Sequence, residues 1–559
     1  MSMTQRVENK RLIQIGMDSM DHDLMTRWIG EGKLPTLERF FKQSVFSKAH
    51  GTPDPSLDKG HRGYTAEAPW TIFFTSCWPR TTGYWSPAKL NPDYTVDEVQ
   101  AYNYDEFHSY YDYCRGKKIV AFDVPHVRVS DRVDGLQVMA WGAHSPQGPS
   151  ESKPAPLLDE ITARYGPHPT LHDDDLLVFE TERKARELEQ RLITGLERRT
   201  KIVIDMLRER EWDLFLTVFG ETHSAGHGFW HLSQSNHPLY EVYADKNYDP
   251  LLNVYQAMDK AVAEIMAAAP EDAYVMLYSN EGMKANSADL PSWLFLPELL
   301  YRYSFDGQAA MAKGTPGTPV PPLQKYQDKE WMRTLWELRE TKDPLAKALQ
   351  KKFRMRFSYL YDKHVARGKR MTHPLSVENF MYMPQMWYSS LWSDMKAFAL
   401  PSFSEGYARI NVKGREDAGI VEPEDFNKVR DEIIQMVSET RNARTGDPIV
   451  RDVIIPRAEA FDRMEDGPDA DLIFLWNLKP MDTADNPVYG RIGPGPYRRT
   501  GDHHDLGFFA LAGPGIVPQV IDDGYLVDVG PTVLDLLGVP MPNHFDGRSR
   551  LSEILEDAA

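Results

Sequence analysis

Cysteine is nearly absent from this chain. Only Cys77 and Cys114 occur in 559 residues, so no disulfide framework can staple the fold, and a reducing compartment is expected. Long apolar runs are missing too. No stretch approaches the ~18 residues of a membrane span, and Met1 to Leu12 carries no apolar leader segment. The expectation is a soluble, cytoplasmic protein with no membrane partner. Positive charge is in deficit: 64 Lys and Arg against 82 Asp and Glu leave a net charge of −18. Nucleic acid is therefore not expected as the main partner, because a polyanion would be repelled. A small anionic substrate is not excluded, since a bound metal reverses the local field. Internal repeats and low-complexity tracts are also lacking. What remains, 42% hydrophobic and 26% charged, is a globular composition long enough for one large α/β domain with insertions, or for several smaller ones. Nothing in it speaks to oligomeric state.

What is present is a series of strand-like runs that end in polar side chains. The run Trp212 to Phe219 reads as a buried strand and leads into Glu221–Thr222–His223–Ser224–Ala225–Gly226–His227. Two histidines four apart share one helix face and can hold one divalent metal; the alternative is two histidines on a polar face. Arg11 to Asp18 alternates and ends on a carboxylate, which either lies at a ligand-binding sheet edge or caps the helix expected over Asp21–Glu31. The strand Ala273–Tyr278 ends in the tip Ser279–Asn280–Glu281, and the loop Gly501–Asp502–His503–His504–Asp505 enters the apolar Phe508–Ala512. Pro69 marks a helix start after Thr65, Ala66 and Glu67. A hydroxyl there, from Thr65 or Thr71, would lie in the positive end of the helix dipole, or act only as an N-cap.

Alternating strands and helices predict an α/β core with a largely parallel central sheet flanked by helices, over residues 1–288 and 402–559. Within it, residues 84–176 read as an irregular insertion with one strand pair, Lys118–Phe122 and Leu136–Ala140, and Glu182–Arg210 as a charged helix with a solvated face. Residues 289–401 read as an inserted cap: Pro316, Pro319, Pro321 and Pro322 cluster, basic helical text spans Lys347 to Arg370, and Trp387, Tyr388 and Trp392 supply aromatics. Such a cap grips substrate or is simply a set of peripheral helices.

Several of these blocks together resemble the alkaline phosphatase superfamily, specifically its type I phosphodiesterase/nucleotide pyrophosphatase-like phosphohydrolases. They are Ile15–Gly16–Met17–Asp18, Gly32–Lys33–Leu34–Pro35–Thr36–Leu37, the Pro69–Trp70–Thr71…Thr75…Pro79…Thr82–Gly83 block, Asn411–Glu416, Gly501–Asp502–His503…Gly513–Pro514–Gly515, and Asp528 to Pro540 with Asp546–Gly547. The resemblance implies an alkaline-phosphatase-like fold and a two-metal site. By position Asp18 is the early carboxylate, His227 the second histidine and His503 the late one, with His504 as its substitute if the register shifts by one.

Three departures qualify that expectation. His223 stands where the family has Asp, making the first site three histidines, a set that suits Zn, with Fe or Mn as alternatives. Asn280–Glu281 replace the family's Asp–His; Glu281 can ligate, whereas Asn280 is a poor ligand. The family's nucleophile spacing lands on Ala66, so Thr65 needs a one-residue insertion, Thr71 a larger shift, and Glu67 a different chemistry altogether. The expected activity is metal-dependent hydrolysis of a phosphate mono- or diester through a threonine nucleophile. The alternative is a redirected metalloenzyme, with lyase or redox chemistry at a three-histidine metal site, and the third option is a non-catalytic binding protein.

Overall fold

A computed structural model describes residues 10–53, 64–65, 67–100, 106–142, 148–171, 182–323, 331–340, 370–373, 380–462 and 467–555. Ala66 and most of the basic helical text expected over Lys347–Arg370 lie outside the described residues. The central element is a ten-stranded sheet. Its middle is parallel: Tyr274–Ser279, Leu12–Met17, Leu214–Phe219, Ile119–Phe122 and Gly135–Met139 lie side by side in that order. Leu506–Ala512 joins antiparallel beside Tyr274–Ser279 and is followed by Val45–His50. Glu151–Lys153 closes the other side as an antiparallel edge.

Strand alternation explains the two cores. Ile13, Ile15 and Met17 face a cluster that includes Leu192, Leu196, Val254 and Met258 of the helices Glu182–Glu209 and Pro250–Ala268. Leu12, Leu214, Leu216 and Val218 face the opposite cluster, with Phe73 of helix Pro69–Thr75 and Val533 of helix Val529–Leu536. With apolar side chains on both faces the strands read as continuous hydrophobic runs, as a helix-covered parallel sheet requires. Each fully buried large side chain contributes about 1.5–3 kcal/mol of transfer free energy. The helix Glu182–Glu209 is accordingly not only a solvated face: Leu188, Leu192, Leu196, Ile202 and Val203 are buried along one side.

Two expectations about organisation are corrected. The stretch 84–176 is not merely an insertion, because Ile119–Phe122, Gly135–Met139 and Glu151–Lys153 extend the central sheet. Leu506–Ala512 does join the central sheet, but several earlier strands grouped above with the core pair elsewhere. Ala397–Ala399, Gly406–Ile410, Leu472–Trp476 and Val450–Ile454 form a separate four-stranded antiparallel sheet. Ala397–Ala399 belongs to the expected cap, so the boundary at 401/402 cuts through that sheet. The physical reason is a shared core: Trp293, Trp387 and Trp392 pack with Phe398, Ile410 and Phe474. Alternation in Tyr407–Glu416 announced a strand but not the sheet it would join.

Candidate active site

Register gathers the polar strand ends. Met17 is paired with Phe219, and Gly16 with Tyr278, so three parallel strands release their chains at one edge. Asp18, the helix Glu221–Ser233 and the tip Asn280–Glu281 all emerge there. The cap reading of Asp18 does not describe its role: Asp21 is the N-cap of helix His22–Gly30 and accepts from the Leu24 N–H. Helix Glu221–Ser233 turns His223 and His227 to the same side. The third histidine arrives on a short two-stranded sheet in which Gly282–Ala285 pairs antiparallel with Gly501–His504, Met283 opposite His503. Gly501 is demanded at this crossing, since a Cβ on it would lie 2.2 Å from the Gly226 carbonyl oxygen.

Because side chains alternate along a strand, His503 and His504 must part. His503 turns to the site, its ring centroid 4.6 Å from that of His223 and 4.7 Å from that of His227. His504 turns away, with Nε2 2.9 Å from Asp21 Oδ2. The His223 and His227 centroids are 4.7 Å apart and their Nε2 atoms 2.9 Å apart, near the ~3.3 Å spacing imposed by two Zn–N bonds of about 2.0–2.1 Å. His227 Nδ1 faces the Gly501 carbonyl oxygen at 2.8 Å, which assigns its proton to Nδ1 and its lone pair to Nε2. The residues present therefore suit a divalent metal. Among the described residues two donor groups form: His223 with His227 and His503, and Asp18 with His223 and Glu281.

Ser19, not singled out in the sequence, lies between them. It is fully buried and held at φ 54°, a left-handed conformation uncommon for a non-glycine residue. Its hydroxyl donates to Glu281 Oε1 at 3.0 Å and lies 3.3 Å from Asp18 Oδ1, 3.2 Å from His223 Nδ1 and 3.4 Å from His503 Nδ1. Burial, and then the Asp18 charge, push the Glu281 carboxyl well above its ordinary range. Asn280 is buried, and neither its side-chain oxygen nor its nitrogen has a hydrogen-bond partner among the described residues.

A second set of groups lies against the histidines. Arg499 Nη1 is 3.4 Å from His227 Nε2, while its Nη2 and Nε donate to Asp289 at 2.7 and 3.2 Å. Its guanidinium lies 5.9 Å from the Trp293 and Phe403 rings. Burial opposes its charge, but Asp289 and then Asp502 hold it firmly protonated. Glu67 lies outside both donor groups. It sits at φ 54° and accepts from the Phe403 N–H and the Ser402 hydroxyl. Burial pushes its carboxyl up to about 7, against those bonds and the Arg499 charge. Glu405 Oε1 accepts from the Thr65 N–H at 3.1 Å; burial raises this carboxyl to about 8, helped by Glu67. A small cleft is lined by Glu405, Asp502, His503 and Lys284, with Leu475 and Trp476 from the antiparallel sheet.

Of the two candidate nucleophiles, Thr65 is buried and tied to Glu405. Thr71, on helix Pro69–Thr75, lines a different cleft with Trp70, His108, Asp112 and His126. Sequence reasoning missed Ser19, Arg499 and Glu405. Adjacency to Asp18 and to the Gly501–His504 loop was available as a signal for the first two; Glu405 had none.

Residues 65–367, more than half of the chain, match the model of the type I phosphodiesterase/nucleotide pyrophosphatase family. The matched segment contains His223, His227, Asn280 and Glu281 but neither Asp18 nor His503. No curated protein matches in sequence. Among solved structures, phosphonoacetate hydrolase from Sinorhizobium meliloti 1021 in complex with phosphonoformate is similar at 12% identity and TM-score 0.45, over 95% of this chain and 96% of that one. Human ectonucleotide pyrophosphatase/phosphodiesterase 5 is similar at 9% identity and TM-score 0.45, over 98% and 99%. At such scores these likenesses add nothing to the family match.

Proposed function

The chain belongs to the type I phosphodiesterase/nucleotide pyrophosphatase family, and on that premise we propose that it is a metal-dependent hydrolase of a small phosphate mono- or diester. The observation that carries the metal dependence is the convergence of His223, His227 and His503 at the sheet edge. An all-imidazole donor set suits Zn first, with Fe and Mn as alternatives. A cation held there would neutralise charge developing on phosphoryl oxygens and activate an oxygen nucleophile.

The chain's own groups would do the rest. The Thr65 hydroxyl is the proposed nucleophile, releasing its proton to water as its oxygen bonds to phosphorus and the ester P–O bond breaks. Arg499, charged and beside His227, would orient a phosphoryl oxygen. Glu405, in contact with Thr65 and protonated near neutral pH, would give its proton to the departing ester oxygen. Water would then attack phosphorus and break the Thr65 Oγ–P bond, a water proton returning to the threonine oxygen and Glu405 regaining its proton from solvent; a monoester yields phosphate and a diester yields a phosphate monoester. Turnover of bis(p-nitrophenyl) phosphate and p-nitrophenyl phosphate by the purified full chain tests the reading. Turnover abolished in Thr65→Ala and retained in Thr71→Ala is the expected result. No hydrolysis of either ester with any of the three metals would overturn it.

One observation favours a second reading. With His223 and Asn280 at family ligand positions, the donor set is closer to that of a metalloenzyme redirected to lyase or redox chemistry. Bound iron with a visible absorption band in protein purified without added metal would support that reading over hydrolysis.

A further inference from the structure

We infer that the centre binds a single metal ion through the Nε2 atoms of His223, His227 and His503, and that Asp18 and Glu281 are positioning residues for two of those rings rather than ligands of a second ion. The inference rests on the metal dependence proposed above and deepens it.

The ring nitrogens decide the matter. A neutral imidazole has one lone pair, so a histidine that ligates through Nε2 carries its proton on Nδ1 and needs an acceptor there. All three have one. His223 Nδ1 is 3.1 Å from Asp18 Oδ2, His227 Nδ1 is 2.8 Å from the Gly501 carbonyl oxygen, and His503 Nδ1 is 3.2 Å from Glu281 Oε1. The Nε2 atoms of His223 and His227 meet at 2.9 Å, and the ring centroids form a nearly equilateral triangle of 4.6 to 4.7 Å. A metal ligand whose far nitrogen is held by a carboxylate or carbonyl is fixed in both tautomer and orientation.

The competing arrangement would place an ion among Asp18, His223 and Glu281. That ion would take the Nδ1 lone pair of His223, removing the proton for which Asp18 is the acceptor. Filling both sites at once would require His223 as a bridging imidazolate. The Ser19 hydroxyl also lies between the two carboxylates, donating to Glu281 Oε1 at 3.0 Å and sitting 3.3 Å from Asp18 Oδ1, where such an ion would have to fit. Asn280 brings no negative charge to the same edge.

Cobalt(II) titration of the metal-free full chain, followed by visible d–d absorption and elemental analysis, tests the inference. One equivalent is expected at the end point. Asp18→Asn and Glu281→Gln each keep an acceptor oxygen, so they should hold the end point at one equivalent, shift the band and weaken affinity by about 10–100-fold. His503→Ala should lose the band. An end point of two equivalents that falls to one in Asp18→Asn or Glu281→Gln would overturn the inference, as would unchanged affinity in both variants. A folded wild-type chain that binds no cobalt would overturn it together with the metal dependence beneath it; hydrolysis by that same metal-free chain would show that the phosphoester reading survives alone.

Discussion

Two arginines, Arg199 fully buried and Arg499 half-buried, touch the same helix, Glu221–Ser233, and their surroundings differ in a way that separates structure from chemistry. Around Arg199 the hydrogen bonds close except at Glu221 Oε2, which has no hydrogen-bond partner among the described residues. Nη1 donates to Asp123 at 2.6 Å, Nε to Glu221 at 3.2 Å and Nη2 to the Gly142 carbonyl at 3.1 Å, while His168 meets Glu221 at 2.9 Å. Burial alone would raise the Glu221 carboxyl, yet Arg199 and His168 hold it below its ordinary range. Around Arg499 the bonds do not close. Neither carboxylate oxygen of Asp502 has a hydrogen-bond partner among the described residues, nor does one oxygen each of Glu67 and Glu405. All three carboxyls are raised, by burial first. Buried acids left short of partners cost stability, and they persist where an active site needs protons held near neutral pH. Glu221 opens the histidine motif in the sequence, yet it serves the Arg199 cluster.

Substitutions should widen that contrast. The largest effect is expected at the metal edge, where His503→Ala removes one of three converging imidazoles. Bound metal and ester turnover should both fall to background, with the thermal midpoint of the metal-free protein little changed; metal retained at full occupancy would argue against the three-histidine centre. Next comes Arg199→Met, which strands Asp123 and Glu221 without their cation. A loss of about 3–5 kcal/mol in unfolding free energy is expected, read by urea denaturation, while the metal content of the folded protein stays at the wild-type level. Arg499→Lys keeps the charge but loses the planar fork. It should lower kcat by about 10²-fold and weaken inhibition by inorganic phosphate, with only a small change in stability. If Arg499 is instead another Arg199, stability will fall and phosphate inhibition will not.

The last effect concerns pH. The folded carboxyls of Glu67 and Glu405 lie at about 7 and about 8, against an ordinary value of 4.5. Between those limits the folded chain holds protons that the unfolded chain has released, so these two groups make stability fall as pH rises from about 5 to 8. Glu67→Gln combined with Glu405→Gln should flatten that part of the denaturation-versus-pH curve. An unaltered slope would mean that these carboxyls are not held protonated.

The sequence revealed the strand ends well and the partners of the strand ends poorly. Asp18, His223, His227 and Glu281 were legible because a parallel sheet sends its carboxyl edges to one side, and the apolar runs before them marked those edges. His503 and His504 could not be told apart from spacing alone; the pairing of Met283 with His503 decides which faces the site. Glu405 carries no pattern, and Ser19 and Arg499 carry only adjacency to Asp18 and to the Gly501–His504 loop, because their roles follow from the tertiary neighbours Thr65, Glu281 and Asp289. The second sheet was misassigned for a related reason. Alternation in Gly406–Ile410 specifies a half-buried strand, not which sheet completes it.

Metal depletion and restoration in one sample addresses the central claim most directly. The full chain should lose hydrolysis of bis(p-nitrophenyl) phosphate when chelated and regain it in proportion to added Zn, with elemental analysis of the reactivated protein matching the recovered rate, and His503→Ala should stay inactive at every concentration. Turnover that survives chelation, or recovers in His503→Ala as it does in the wild type, would contradict a metal-dependent phosphoester hydrolase built on His223, His227 and His503.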